Sequence, residues 1–143
     1  MCLMMYLATA GDQPLRSSTE LSVEEVESSR TSVRQWFSLP TVRFIGAHTG
    51  CSCGFPSVIA EEPIEYYDGI FDTTEDRATD LASTRALLAL IRQHVNDGAQ
   101  VELYPVGAGD EGRSPKGTVR LSIDAIDPET FLLTEQFLYR VRG

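Results

Sequence analysis

One long helical pattern in the middle of the chain constrains the fold more than any other feature. Thr73 and Asp76 form an N-terminal capping pattern, and Gly98 is a typical stop signal, so the spacing predicts a helix from Thr73 to about Asn96. The apolar residues of its expected buried face are Leu81, Leu87, Leu88, Ile91 and Val95. Strand-like segments lie on both sides of this helix, without a regular alternation of strand and helix.

Five further segments have the hydrophobic patterns of strands. They are residues 2–9, 42–47, 101–106, 118–125 and 131–141. Residues 20–37 fit both a short edge strand and a helix, and we expect a helix over Ser32–Phe37 that ends before Pro40. The last two strands are expected to pair through a turn at Asp127-Pro128.

These elements predict a single α+β domain over residues 1–143. Its expected architecture is a largely antiparallel sheet with one long mid-chain helix and a shorter N-terminal helix, because strands outnumber helices. A chain of 143 residues has the usual length for one hydrophobic core. We find no internal repeat, low-complexity tract or linker.

The net charge of −9 limits the expected partners. The twelve Lys and Arg residues are scattered and form no basic run, which argues against nucleic acid and against an anionic membrane. A small cationic molecule or a basic protein is easier to accommodate. Residues 61–80 carry eight carboxylates and form the most acidic stretch. The sequence leaves the oligomeric state open.

We expect a cytoplasmic protein. The apolar start, residues 1–10, has no Lys or Arg before it and is shorter than the roughly 15–30 residues of a signal peptide. No stretch reaches the roughly 18 apolar residues of a membrane-spanning helix. The odd number of cysteines, three, also argues against a framework of disulfides.

The sharpest chemical motif is His48-x-x-Cys51-x-Cys53, in a loop rich in Gly after a predicted strand. Imidazole and thiolate are the usual zinc ligands, so the motif predicts a metal site, with zinc as the expected ion. Cys2 supplies a third sulfur if its strand pairs beside residues 42–47, and His48 or His94 completes a Cys₃His set. The Cys-x-Cys spacing differs from the usual Cys-x₂₋₄-Cys of zinc sites.

The same residues permit other interpretations. A thiolate beside His48 is a nucleophile or a redox centre, and Cys2, once Met1 is removed, resembles an N-terminal nucleophile. Alternatively the thiols are incidental, and the protein is a non-enzymatic module whose acidic residues 61–80 bind a basic partner. The leading hypothesis is a metal or thiol site of Cys2, Cys51 and Cys53, with His48 assisting, and enzymatic activity stays open.

A glycine-rich stretch, residues 107–112, literally matches the Gly-x-Gly-x-x-Gly of dinucleotide sites. A strand pattern follows it where such a site needs a helix, and Asp110 and Glu111 would repel phosphate. We therefore predict that this loop only connects two strands.

The start Met1-Cys2-Leu3-x-x-Tyr6-Leu7-Ala8-Thr9 and the later Gly50-Cys51-x-Cys53-Gly54-Phe55 resemble a family of short, uncharacterised bacterial proteins. Members open with Met-Cys-Leu and carry a Gly-Cys-Gly-Cys-Gly-Phe loop after a strand, and Ser52 stands here where that loop usually has Gly. The resemblance covers about the first 55 residues. It implies no activity, but it links Cys2 with Cys51 and Cys53 as one constellation.

Overall fold

The computed structural model describes residues 3–11, 16–52, 55, 58–59, 74–96, 98–128 and 133–143. Eight strands and one α-helix make up its regular structure. They are β1 (Leu3–Thr9), β2 (Leu21–Glu25), β3 (Thr41–Ala47), β4 (Val58–Ile59), α1 (Thr74–Asn96), β5 (Val101–Gly107), β6 (Gly117–Ser122), β7 (Leu133–Thr134) and β8 (Phe137–Arg142). Short 3₁₀ segments occupy Ser28–Trp36 and Ile123–Ala125.

Six of these strands form one sheet in the order β2-β3-β1-β5-β8-β6, and β4 pairs with β7 in a separate two-stranded sheet. β1 lies in the interior of the large sheet and pairs antiparallel with both β3 and β5. Because its side chains alternate between the two faces, both faces must be covered. Met5 and Leu7 face helix α1, whereas Tyr6 and Ala8 face the opposite side.

The side opposite helix α1 is here called the aromatic face, defined by Tyr6, Phe44 and Tyr104. The 3₁₀ segment Ser28–Trp36 and the residues after it, to Leu39, cover this face and are here called the covering segment. Val33, within this segment, is completely buried. Phe37 packs edge-on against Tyr104, with ring centroids 6.4 Å apart. Under this irregular cover Tyr6, Phe44 and Tyr104 are all buried.

The predicted largely antiparallel sheet is wrong, because the sheet is mixed. β6 and β8 pair in parallel, with Arg120 opposite Arg140. The turn signal at Asp127-Pro128 does not make a hairpin: the chain passes through the 3₁₀ turn Ile123–Ala125 and through β7 before β8 begins. The connection, residues 123–136, reaches the dozen or so residues that a parallel crossover needs.

The predicted shorter N-terminal helix is also wrong. The structure has the edge strand β2 in the first half of residues 20–37, and 3₁₀ turns over Ser28–Trp36 in place of an α-helix. Ser and Thr side chains compete with the backbone for hydrogen bonds and weaken helix propensity. Thr31 Oγ1 donates such a bond to the Ser28 carbonyl at 3.4 Å.

Helix α1 begins within one residue of the predicted start and ends at Asn96. Gly98, with a φ of 82°, donates its N–H to the Val95 carbonyl and so closes the C-terminus in the left-handed conformation that glycine favours. Among the residues that the structure describes, no helix combines the length and the apolar character needed to cross a bilayer.

A fully buried carboxylate, Glu102 on β5, fixes the end of the covering segment. Its Oε1 accepts hydrogen bonds from the Ser38 N–H, the Ser38 hydroxyl and the Leu39 N–H, at 2.9 to 3.0 Å. Its Oε2 accepts from Nε of Arg140 at 3.2 Å. A buried charge is tolerated only when it is paired and hydrogen-bonded in this way.

We expect Glu102→Ala to lower the free energy of unfolding by about 3 kcal/mol, because it leaves buried donors unpaired. The chain's single tryptophan, Trp36, lies in the covering segment, so its fluorescence during urea unfolding measures the effect. The control Asp124→Ala, at an exposed site, should change stability by less than about 0.5 kcal/mol. Equal stabilities of the two variants would contradict the role of Glu102.

Candidate ligand pocket

A pocket of about 330 Å³ opens on the aromatic face beside the Gly-Cys loop. Its floor is apolar and aromatic, its rim carries carboxylates, and one wall is formed by Gly50 and Cys51. The pocket therefore contains Cys51, one member of the motif that the sequence singles out.

Strand register builds the floor of this pocket. Phe44 on β3 lies opposite Tyr6 on β1 and opposite Glu24 on β2, so the three side chains form one row across the sheet. The two rings pack edge to face, with centroids 6.0 Å apart and planes at 67°. An acidic side chain thus stands at the end of an aromatic row, and Met4 on β1 extends the floor.

The wall exists because Gly46 has no side chain. The chain after β3 turns back over Gly46, so that a Cβ there would lie 2.6 Å from the carbonyl oxygen of Gly50. Ala47 donates its N–H to the Cys51 carbonyl, and Gly50 donates its N–H to the Ala47 carbonyl. This tight turn brings Cys51 onto the aromatic face.

Ser52 fixes the turn to the sheet. Its hydroxyl donates to the Ile45 carbonyl at 2.6 Å and accepts the Met5 N–H at 2.8 Å, and the residue is fully buried. One side chain therefore bridges β3 and β1 where a backbone bond is missing. A glycine at position 52 could make neither bond.

The rim of the pocket is acidic. Glu24, Glu25 and Glu27 line it, and among the described lining residues Arg30 is the single basic one. Glu25 pairs with Arg43, and Glu27 with Arg30, in both cases at 3.4 Å. Both carboxylates are more than 70% exposed, at 74% and 71%, so these pairs are weak and leave the rim electrically negative.

Behind the pocket, Arg30 and Tyr6 converge on the buried carboxylate of Glu111. Oε1 of Glu111 accepts from Arg30 Nη1 at 2.7 Å and from the Tyr6 hydroxyl at 3.0 Å. Trp36 donates its indole N–H to the Glu111 carbonyl, and Gly109 donates its N–H to Oε2. Glu111 thus holds the start of the covering segment, as Glu102 holds its end.

This network has one clear charge state at neutral pH. Burial alone would raise the pKa of Glu111, but a backbone hydrogen bond and the bonds from Arg30 and Tyr6 outweigh it, and the pKa lies below its ordinary value. Burial and the Glu111 charge raise the pKa of Tyr6 well above its ordinary value. Tyr6 therefore stays a neutral donor and Glu111 a charged acceptor.

The structure separates two of the predicted site residues. Cys51 lines the pocket on the aromatic face and is partly buried. His48 is exposed and lies at helix α1, where its N–H donates to Ser83 Oγ at 3.1 Å and its Nδ1 lies 3.0 Å from the same oxygen. The hydrogen bonds of His48 thus connect it to helix α1, whereas Cys51 lies in the wall of the pocket. Cys2 and Cys53 lie outside the described residues.

His94, the other candidate histidine, lies on helix α1. Nδ1 of His94 donates to the Leu90 carbonyl at 2.9 Å in the last turns of α1. Within the described part of the chain, no three side chains of His, Cys, Asp or Glu come together as a metal site would require. Residues 60–73, which carry most of the predicted acidic interaction surface of residues 61–80, lie outside the described residues.

Sequence reasoning missed Tyr6, Arg30 and Glu111 as members of one site. They are distant in sequence, and Glu111 lies in the loop that was predicted only to connect strands. The loop does connect β5 to β6, but it also supplies a buried carboxylate. No local pattern signals this, because Glu111 has neither motif spacing nor hydrophobic periodicity.

We expect Gly46→Ala to displace the turn and to destabilise the protein by about 1–3 kcal/mol, because the new methyl group meets backbone atoms of Gly50. Urea unfolding measures the loss, and faster alkylation of Cys51 would report the displaced wall. Gly11→Ala is the matched control, since a Cβ there has no neighbour within 4 Å. Unchanged stability and thiol reactivity in Gly46→Ala would contradict the close approach of Gly50 to Gly46.

We expect Glu111→Gln to reduce the acid sensitivity of the fold. Because the folded-state pKa is depressed, the Glu111 contribution is present above its ordinary pKa of 4.5 and is lost as the pH falls through the folded value. Between about pH 5 and about pH 3, the wild type should therefore lose more unfolding free energy than Glu111→Gln. Urea titrations followed by Trp36 fluorescence test this, with Asp124→Asn as the control that keeps the wild-type slope.

Comparison with known proteins gives no assignment for this pocket. No family model, no curated protein and no solved structure matches the chain at a significant level. The resemblance seen in the Met-Cys-Leu start and the Gly-Cys loop stays a prediction.

Proposed function

We propose that this protein binds a small organic cation in the pocket beside Cys51, with the thiol in contact with the ligand. The observation that carries the proposal is the acidic rim above an aromatic floor. Glu24 lies directly opposite Phe44, so a charged amine held by the rim would lie next to the Phe44 ring. Aromatic faces attract cations, by about 0.5–1 kcal/mol at exposed sites and more when water is excluded.

Charge supports the same class of ligand. The described lining carries three carboxylates against the one guanidinium of Arg30, and that guanidinium is already bound to Glu111 at 2.7 Å. An anionic ligand would meet net repulsion here, whereas a cation would replace the weak surface pairs of the rim. A volume of about 330 Å³ lies within the range of roughly 300–1,000 Å³ of small-molecule sites.

Cys51 gives the site its chemical character. A partly buried thiol in the wall of a pocket is positioned to contact the ligand or to react with it when deprotonated. In the cytoplasm, where we propose the protein acts, this thiol stays reduced. A zinc form of the site would use Cys51 together with Cys2 and Cys53, and the last two lie outside the described residues. Elemental analysis of the purified protein would detect the zinc.

The test uses the charge of the probe. We expect tetramethylammonium to slow the alkylation of Cys51 by iodoacetamide, and the uncharged tert-butanol of similar shape to leave the rate unchanged. Peptide mass mapping assigns the modified thiol. Glu24→Gln should weaken the protection up to about fivefold, the effect of losing an exposed charge pair. Asp124→Asn, which removes the same charge elsewhere, should not.

Several results would overturn the proposal. Equal protection by the charged and uncharged probes would show that the site does not select cations. Alkylation that neither probe slows would show that the pocket beside Cys51 binds neither. Stoichiometric zinc that is lost in Cys51→Ser would replace the cation site by a metal centre.

A further inference from the structure

A second pocket, of about 160 Å³, lies near the other edge of the sheet and is lined by Gln100, Arg120, Arg140 and Arg142. Three of the chain's twelve basic residues therefore meet at one place in a protein with a net charge of −9. β6 and β8 form this part of the sheet, whereas the Cys51 pocket involves β1, β2 and β3. The arginine pocket is thus separate from the proposed cation site.

Strand register causes this convergence. Arg140 and Arg142 are two residues apart on β8 and so lie on one face. The parallel pairing of β6 with β8 places Arg120 directly opposite Arg140, and Ser122 opposite Arg142. Like charges directly opposed across a sheet destabilise it unless an opposite charge compensates them.

The protein compensates only part of this charge. Glu102 binds Arg140 through Nε, and its other oxygen is occupied by donors from Ser38 and Leu39. Among the described residues, this ion pair engages no other nitrogen of Arg140, and Arg120 and Arg142 have no acidic partner. The charges of two exposed guanidinium groups therefore remain beside an Arg140 that Glu102 orients.

We infer that the arginine pocket is a binding site for a small oxyanion, with a phosphate group as the ligand class. Guanidinium groups bind phosphate oxygens through two parallel N–H donors, and several such forks suit a dianion better than a monoanionic carboxylate. The Gln100 amide adds a neutral donor at the rim. The volume of about 160 Å³ exceeds several times the roughly 30 Å³ of one water molecule, so a phosphate group fits.

A bound anion would also offset the repulsion between Arg120 and Arg140, which the strand register places opposite each other. The repulsion between Arg120 and Arg140 is strongest in the empty site at low salt, and a phosphate group between them would convert it into attraction. The site therefore predicts two linked effects: an anion stabilises the fold, and removal of Arg120 stabilises the empty protein while weakening its response to the anion.

The experiment measures thermal unfolding of the full chain in inorganic phosphate, with ionic strength held constant by chloride. Phosphate should raise the Tm of the wild type, and Arg120→Gln and Arg142→Gln should each weaken the apparent affinity about tenfold. Arg92→Gln, exposed on helix α1, removes the same charge on the other face and should respond as the wild type does. Arg140 is left intact because it is the partner of buried Glu102.

The outcomes separate specific binding from general salt effects. In phosphate-free buffer, Arg120→Gln should unfold at the wild-type Tm or above it, so a lost phosphate response in this variant does not come from misfolding. An equal phosphate response in all four proteins, or an equal rise with chloride alone, would overturn the inference. Acetate that binds as tightly as phosphate would overturn the phosphate class.

Phenyl phosphate then distinguishes the source of the group. Tighter binding of this monoester than of inorganic phosphate would support a phosphorylated metabolite as ligand, and equal binding would support free phosphate. Both results support the oxyanion site, whereas the absence of binding by either probe would overturn it. None of these readouts depends on Cys51, so they are independent of the proposed cation site.

Discussion

The structure depends on the burial of both faces of its sheet. β1 carries apolar residues on both sides, so one layer on each face must exclude water. Helix α1 covers one face with regular apolar contacts. The other face is covered by an irregular segment, which two buried carboxylates hold: Glu111 binds its start at Arg30, and Glu102 binds its end at Ser38 and Leu39. The backbone carbonyl of Glu111 also accepts the Trp36 indole N–H.

This unequal covering explains where the pockets lie. The two pockets open on the side of the sheet opposite helix α1. One opening is bordered by the carboxylates of β2 and by the turn that carries Cys51; the other is bordered by the arginines of β6 and β8. Within the described residues, two small cavities of opposite charge thus lie on one face, and Arg30 and Arg140, which bind the buried carboxylates, line them.

The sequence predicted the parts that local physics controls. The helical spacing, capping pattern and glycine stop located α1 almost completely, and apolar runs located β1, β3 and β5. The prediction of an N-terminal helix was wrong because a segment rich in Ser and Thr has little helix propensity, so its tertiary contacts determine its conformation. The predicted antiparallel pairing of the last two strands was wrong because a turn signal does not show where the chain goes next. The following strand can pair beside its predecessor, or the chain can first contribute a strand to a second sheet.

For the site, the sequence by itself determined that a glycine-rich turn with Cys51 follows a buried strand, and that the chain is acidic. Tertiary structure alone decided that Cys51 and His48 face opposite sides of the sheet, and that Tyr6, Arg30 and Glu111 meet behind the pocket. It also brought together Arg120 and Arg140, which are scattered in the sequence. The reason is physical: spacing along a strand fixes which face a side chain occupies, but strand register and order, which result from the packing of the whole chain, determine its neighbours.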